Sequence, residues 1–101
     1  RAADGGVEVT EIGENAFMEC GHLEAVYFSA YPGTKMEIGR CAFAWCNNLD
    51  TVRLSSNIHR IDPTAFLGCR SLKRILIPKG TRKKFETMFP FKQTWELLME
   101  E

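Results

Sequence analysis

Apolar residues recur along this chain with a period much longer than that of a helix or a strand. Segments 12–20, 38–46 and 61–69 read IGENAFMEC, IGRCAFAWC and IDPTAFLGC, and each runs on into Leu-x-x-(Val/Ile)-x-apolar. Six apolar columns result: Ile12/Ile38/Ile61, Phe17/Phe43/Phe66, Cys20/Cys46/Cys69, Leu23/Leu49/Leu72, Val26/Val52/Ile75 and Phe28/Leu54/Ile77. Ala16, Ala42 and Ala65 form a seventh, smaller one. The interval is 26 residues from Ile12 to Ile38 and 23 from Ile38 to Ile61, the difference being a longer first connection. Registration across three copies specifies a solenoid, in which a unit buries its apolar face only against its neighbours.

Within each unit, 23–28, 49–54 and 72–77 alternate late in the run as a half-buried strand requires. A second, shorter strand is expected before each turn, at 7–10, 35–38 and 58–61. Val9 and Ile58 stand three places before the repeat isoleucine, but Lys35 takes that place in the second copy. Gly13 and Gly39 mark turns, with Asp62-Pro63 replacing them in the third copy. The Ala-Phe-x-x-Cys stretch is too short for an independent helix. One or two helical or 3₁₀ turns on the convex side are expected there. Tyr31-Pro32-Gly33 signals a protruding loop.

After Ile77, Pro78-Lys79-Gly80 ends the repeat. Thr81 is placed to cap a helix over 82–89, with Phe85, Met88 and Phe89 at i, i+3 and i+4. A last strand is expected near 96–100. The final coil of a solenoid exposes an apolar face, and residues 79–101 are read as its helix–strand cap. The chain is thus expected to form one domain, 1–101, with units of about 12–37, 38–60 and 61–78 ahead of the cap. It opens on Arg1 without a comparable cap before Val7. We read this as a piece of a longer polypeptide, monomeric or weakly associating end to end through its N-terminal side.

The repeated phrase resembles the unit of the BspA-like leucine-rich repeat family, Ile-Gly-x-x-Ala-Phe-x-x-Cys-x-x-Leu-x-x-Val-x-(Ile/Leu)-Pro, from about Ile12 to Pro78. The tail IPKGTRKKFETMF…W is similar to the strand–helix–strand closure of such proteins. The resemblance implies a leucine-rich-repeat solenoid of short parallel strands stacked coil on coil. It also implies a bacterial secreted or cell-surface protein engaged in adhesion and protein binding, with no shared catalytic residues. The alternative is a structural spacer and cap that closes a longer array and has no ligand of its own.

Composition changes this picture little. With 45% apolar and 26% charged residues the chain has an ordinary globular balance. Formal net charge is zero but polarised: residues 1–39 sum to −5, 40–84 to +8 and 85–101 to −3. No run approaches the roughly 18 apolar residues of a membrane span, so no membrane insertion is expected.

Candidate chemistry is sparse. Cys20, Cys46 and Cys69 repeat with the unit and should stack as a ladder. Coil spacing of about 4.8 Å falls within the Cα range of a disulfide, but parallel side chains suit its geometry poorly, and buried free thiols are the favoured reading. Cys41, whose equivalents are Asn15 and Thr64, is the odd and more accessible thiol. Neither zinc nor another cofactor is expected, since His22 and His59 occupy different repeat phases. No nucleophile context or phosphate loop points to an enzyme. Arg82-Lys83-Lys84, with Arg70, Lys73, Arg74 and Lys79, could contact nucleic acid or acidic glycans, but stacking aromatics are not interleaved with it and it is read as a solvated face. It opposes the dipole of the expected helix.

The strand phase supplies the candidate binding site. With Leu23, Val26 and Phe28 inward, Tyr27, Arg53 and Leu76 form one outward column on the concave face, and Ala25, Thr51 and Arg74 a second. Tyrosine and arginine are favoured interface anchors, so a ligand is expected to use this face; the family resemblance implies that it is a protein, from a host or another cell surface.

Overall fold

The two alternating runs of each repeat become two separate parallel sheets. The computed structural model describes residues 10–30 and 33–101. One sheet holds β1 (Glu11–Ile12), β3 (Met36–Ile38) and β5 (Ile58–Ile61); the other holds β2 (Ala25–Tyr27), β4 (Thr51–Arg53), β6 (Arg74–Ile77) and β7 (Leu98–Glu100). Every pairing is parallel, and the chain winds through about four turns. Of the strand expected at 7–10, residues 7–9 lie outside the described residues, as do Tyr31 and Pro32 of the expected loop.

The shorter strands show how the weak second copy is accommodated. Sequence spacing sets Lys35 against Ile58, but the structure pairs Met36 with Ile58, both buried. The register shifts between Met36 and Glu37, so that Glu37 pairs with Arg60. His59 becomes the extra residue of the irregularity and points outward, leaving the apolar column intact.

Between Gly13 and Cys20, bonds alternate in kind. Ala16, Met18 and Cys20 donate locally to the carbonyls of Gly13, Asn15 and Phe17. Asn15, Phe17 and Glu19 donate across to the carbonyls of Arg40, Ala42 and Ala44 in the next coil. The expected helical turns therefore do not propagate as a helix. Half of their N–H groups serve the neighbouring coil, and Asn15, Glu19, Cys41 and Trp45 take positive φ. In the third copy this column falls on Gly68, at φ +74°.

Coil stacking buries the predicted columns. Ile38, Phe43, Cys46, Leu49, Val52 and Leu54 of the second coil are all buried. Phe17, Phe43 and Phe66 form a parallel ring stack at 5.2 and 5.3 Å. The first coil is less covered: Ala16 and Phe17 are exposed and Cys20 is half-buried.

Beyond β6 the chain turns at Gly80 into α1 (Arg82–Glu86), then α2 (Lys92–Trp95), and returns as β7 beside β6. Helix α1 is shorter than the expected 82–89, and α2 was not foreseen. Thr81 does occupy the N-cap position, but it makes no side-chain cap: its hydroxyl donates to the Pro78 carbonyl at 2.6 Å. Phe85, Phe89 and Leu98 are buried in the common core, with Trp95 and Leu97 packed against it. Arg82 holds the returning chain, donating to the carbonyls of Leu98 (3.0 Å) and Trp95 (2.8 Å) and to Glu86 (2.9 Å).

Candidate protein-binding face

The outward face of the four-stranded sheet arises because Val26, Val52, Ile75 and Leu98 share one register and point into the core. Their neighbours along each strand must then point out. Tyr27, Arg53, Leu76 and Met99 consequently pair in sequence across β2, β4, β6 and β7. Tyr27 is 64% exposed and Met99 49%. Arg53 is exposed and Leu76 half-buried. Met99 was missed by sequence reasoning, which placed a strand near 96–100 without extending the repeat phase into it.

The second column is Ala25, Thr51 and Arg74. Here one expectation is corrected. Thr51 is buried, at 9% exposure, rather than open to a ligand. Its hydroxyl donates to Asp50 Oδ1 at 2.6 Å, and it sits between the flanking strands. Arg74 also reaches Asp50 Oδ1, at 3.0 Å. These two donors, the Thr51 hydroxyl first, hold the Asp50 carboxyl below its ordinary pKa.

Both arginines of the face are thus engaged within the chain, since Arg53 Nε lies 2.9 Å from Glu101 Oε1. Such exposed pairs contribute little stability, but they hold long side chains in fixed positions on the sheet. Beside them, Asn48 donates to the Gly21 carbonyl and Ser71 to the Asn47 carbonyl, each one coil earlier, in a small polar ladder.

The remaining candidates resolve into structural parts. All four cysteines are free. Cys46 Sγ donates to the Phe17 carbonyl at 3.1 Å and Cys69 Sγ to the Phe43 carbonyl at 3.0 Å. Burial raises the pKa of both thiols, that of Cys69 to about 11. Cys41 is half-buried, as are Cys20 and Cys69, so it does not stand apart in exposure. Its N–H donates to Thr64 Oγ1, which itself donates to Asp62. That side chain does in the third copy what the Arg40 carbonyl does for Asn15.

The basic run is largely absorbed as well. Arg82 serves the returning chain, and Lys84 Nζ donates to the Ser56 carbonyl at 2.6 Å. His59 lies 3.4 Å from Glu37. Among the described residues no group of three His, Cys, Asp or Glu side chains is placed to hold a metal ion. Exposed Met18, Trp45 and Leu67 lie on the turn side, away from the strand face. Sequence reasoning did not single them out, because only the positive φ of Trp45 aims its ring over Gly68.

A family model described as BspA type leucine-rich repeat region (6 copies) matches residues 6–97. The chain belongs to the BspA-type leucine-rich repeat family. No curated protein and no solved structure matches it. The BspA-type repeat is a protein-interaction module, generally non-enzymatic, and such proteins are typically secreted or at the cell surface. Among the described residues no helix is long and apolar enough to cross a membrane.

Proposed function

We propose that this BspA-type segment is a binding module of a secreted or cell-surface bacterial protein, acting in adhesion. A protein ligand would be recognised on the face formed by Ala25, Tyr27, Arg53, Arg74 and Leu76, with Thr51 supporting it from beneath and Met99 extending it. We retain 12–37, 38–60 and 61–78 as the repeat units and 79–101 as their closure. One observation carries the reading: Tyr27, Arg53, Leu76 and Met99 stand in one unbroken cross-strand register. Such a row sets Tyr27 and Arg53, residue types enriched among interface hot spots, beside the apolar Leu76 and Met99 at strand spacing.

The test is retention of surface proteins by the immobilised chain, compared with the double variant Tyr27→Ala/Leu76→Ala. A ligand held by the wild type and lost by the variant supports the face. A ligand held equally by both removes it. The spacer reading is favoured by the burial of Phe85, Phe89 and Leu98 against the third coil. It predicts that nothing is specifically retained.

A further inference from the structure

The phenylalanine stack changes character at its last ring. Phe17, Phe43 and Phe66 are parallel within 6° and 4°. The next ring, Phe89 of the C-terminal segment, lies 6.5 Å from Phe66 and is inclined at 45°. Two rings inclined in this way diverge, and both wall a cavity of about 150 Å³ between the third coil and the tail. Pro63, Cys69, Leu72, Pro90 and Leu97 line it as well, and Phe91, 60% exposed, forms its outer wall. Asp62 and Thr94 supply the polar groups.

Size and chemistry narrow the ligand. A cavity of about 150 Å³ has room for one benzene-sized molecule. Three phenylalanine rings in the lining favour a π-system through offset or edge contacts, which a saturated ring of equal size cannot make. The Asp62 carboxylate accepts from Thr64 at one oxygen only, Oδ1, through the amide at 2.9 Å and the hydroxyl at 2.7 Å. These same Thr64 donors keep it ionised, so it repels an anionic ligand and accepts a hydrogen bond from one that brings a donor.

We infer that the cavity between the third coil and the C-terminal segment is a binding site for a small, non-anionic aromatic molecule bearing one hydrogen-bond donor. The site is separate from the strand face: its lining shares no residue with the Tyr27–Met99 column.

Phenol is the probe, titrated into the full chain and followed by methyl and aromatic NMR shifts. Saturable ring-current shifts at Leu72, Leu97 and Thr94, complete by about 10 mM, are expected. Cyclohexanol, with the same donor and nearly the same size, should give at most one-fifth of the occupancy. Thr94→Phe, which fills the cavity, should abolish the phenol response. Phe91→Ala, at an exposed position, should weaken it several-fold with the fold intact. Absence of saturable shifts in the wild-type chain overturns the site. Equal response to cyclohexanol overturns its aromatic character, and shifts that persist in both variants place phenol elsewhere.

Discussion

The Cys69 thiol donates a hydrogen bond to the backbone carbonyl of Phe43, one coil earlier, at 3.0 Å. Cys46 repeats the contact with Phe17 at 3.1 Å. The conserved spacing between ring and sulfur within each repeat thus serves a bond between repeats, which is why the ladder needs thiols in reduced form. Cys69 in the folded chain titrates near 11, against an ordinary value of 9.0. Because its folded pKa is raised, its contribution to stability is complete below pH 9.0 and is lost as pH rises towards 11. We expect intact-mass spectrometry to find no native disulfide among Cys20, Cys46 and Cys69. Iodoacetamide should label Cys46, the buried one, last.

Gly68 and Trp45 should be energetically coupled. A Cβ on Gly68 would overlap the Trp45 ring, and the backbone there has φ +74°. Gly68→Ala is expected to cost about 2 kcal/mol, combining left-handed strain with displacement of the indole. In a Trp45→Ala background only the backbone strain remains, so the penalty should fall by roughly 1 kcal/mol. Urea denaturation of the four members of the cycle measures this, and strict additivity would contradict the contact.

Arg82 should matter more than its neighbour in the same basic run. Its guanidinium binds the carbonyls of Trp95 and Leu98, the segment that returns to form β7. Being partly exposed, these bonds are discounted, and Arg82→Ala is expected to lose about 1–2 kcal/mol. Lys83→Ala, at an exposed position, should stay within about 0.5 kcal/mol. Deleting residues 79–101 removes Phe85, Phe89 and Leu98 from the core. The truncated chain should therefore be insoluble or lack a cooperative melt; a sharp melt of a soluble monomer would show that the tail is dispensable.

On the strand face, Tyr27→Ala should leave stability within about 0.5 kcal/mol while weakening ligand binding by more than about 1 kcal/mol. Loss confined instead to variants of Tyr31-Pro32-Gly33 or of Arg82–Lys84 would move the site away from the sheet.

Acid should loosen two polar contacts. Asp50 and Asp62 both titrate below their ordinary value of 3.8, held there chiefly by hydrogen bonds from Thr51 and Thr64 respectively. A depressed folded pKa contributes stability that is present above 3.8 and disappears as pH falls through the folded value. Between pH 5 and pH 2, Asp50→Asn and Asp62→Asn chains should therefore lose less stability than the wild type, as measured by thermal melts.

How much was legible depended on whether a feature repeats. The columns through Ile38, Phe43, Cys46, Leu49, Val52 and Leu54 were readable because each must pack on its own equivalents in adjacent coils, so the constraint is written at a fixed spacing. The outward placement of Tyr27 and Arg53 followed from the same phase. Where the repeat is irregular, the neighbouring coil decides. Met36 rather than Lys35 meets Ile58 because a bulge at His59 costs less than burying an ammonium group. Thr51 is buried because strands on both sides cover it and Asp50 satisfies its hydroxyl, neither of which a single strand's alternation records.

The tail shows the same division. Its apolar residues announced that something packs there. That Arg82 clasps the carbonyls of Trp95 and Leu98, and that Met99 joins the Tyr27 column, depends on contacts 13 to 72 residues apart along the chain. The sequence by itself determined the solenoid, since stacked identical positions need identical residues. The tertiary structure decided the closure and the aromatic cavity, because each joins groups whose partners carry no repeated signal; it also decided that the repeated thiols bond to the carbonyls of the preceding coil, since spacing places a column but not its hydrogen-bond partner.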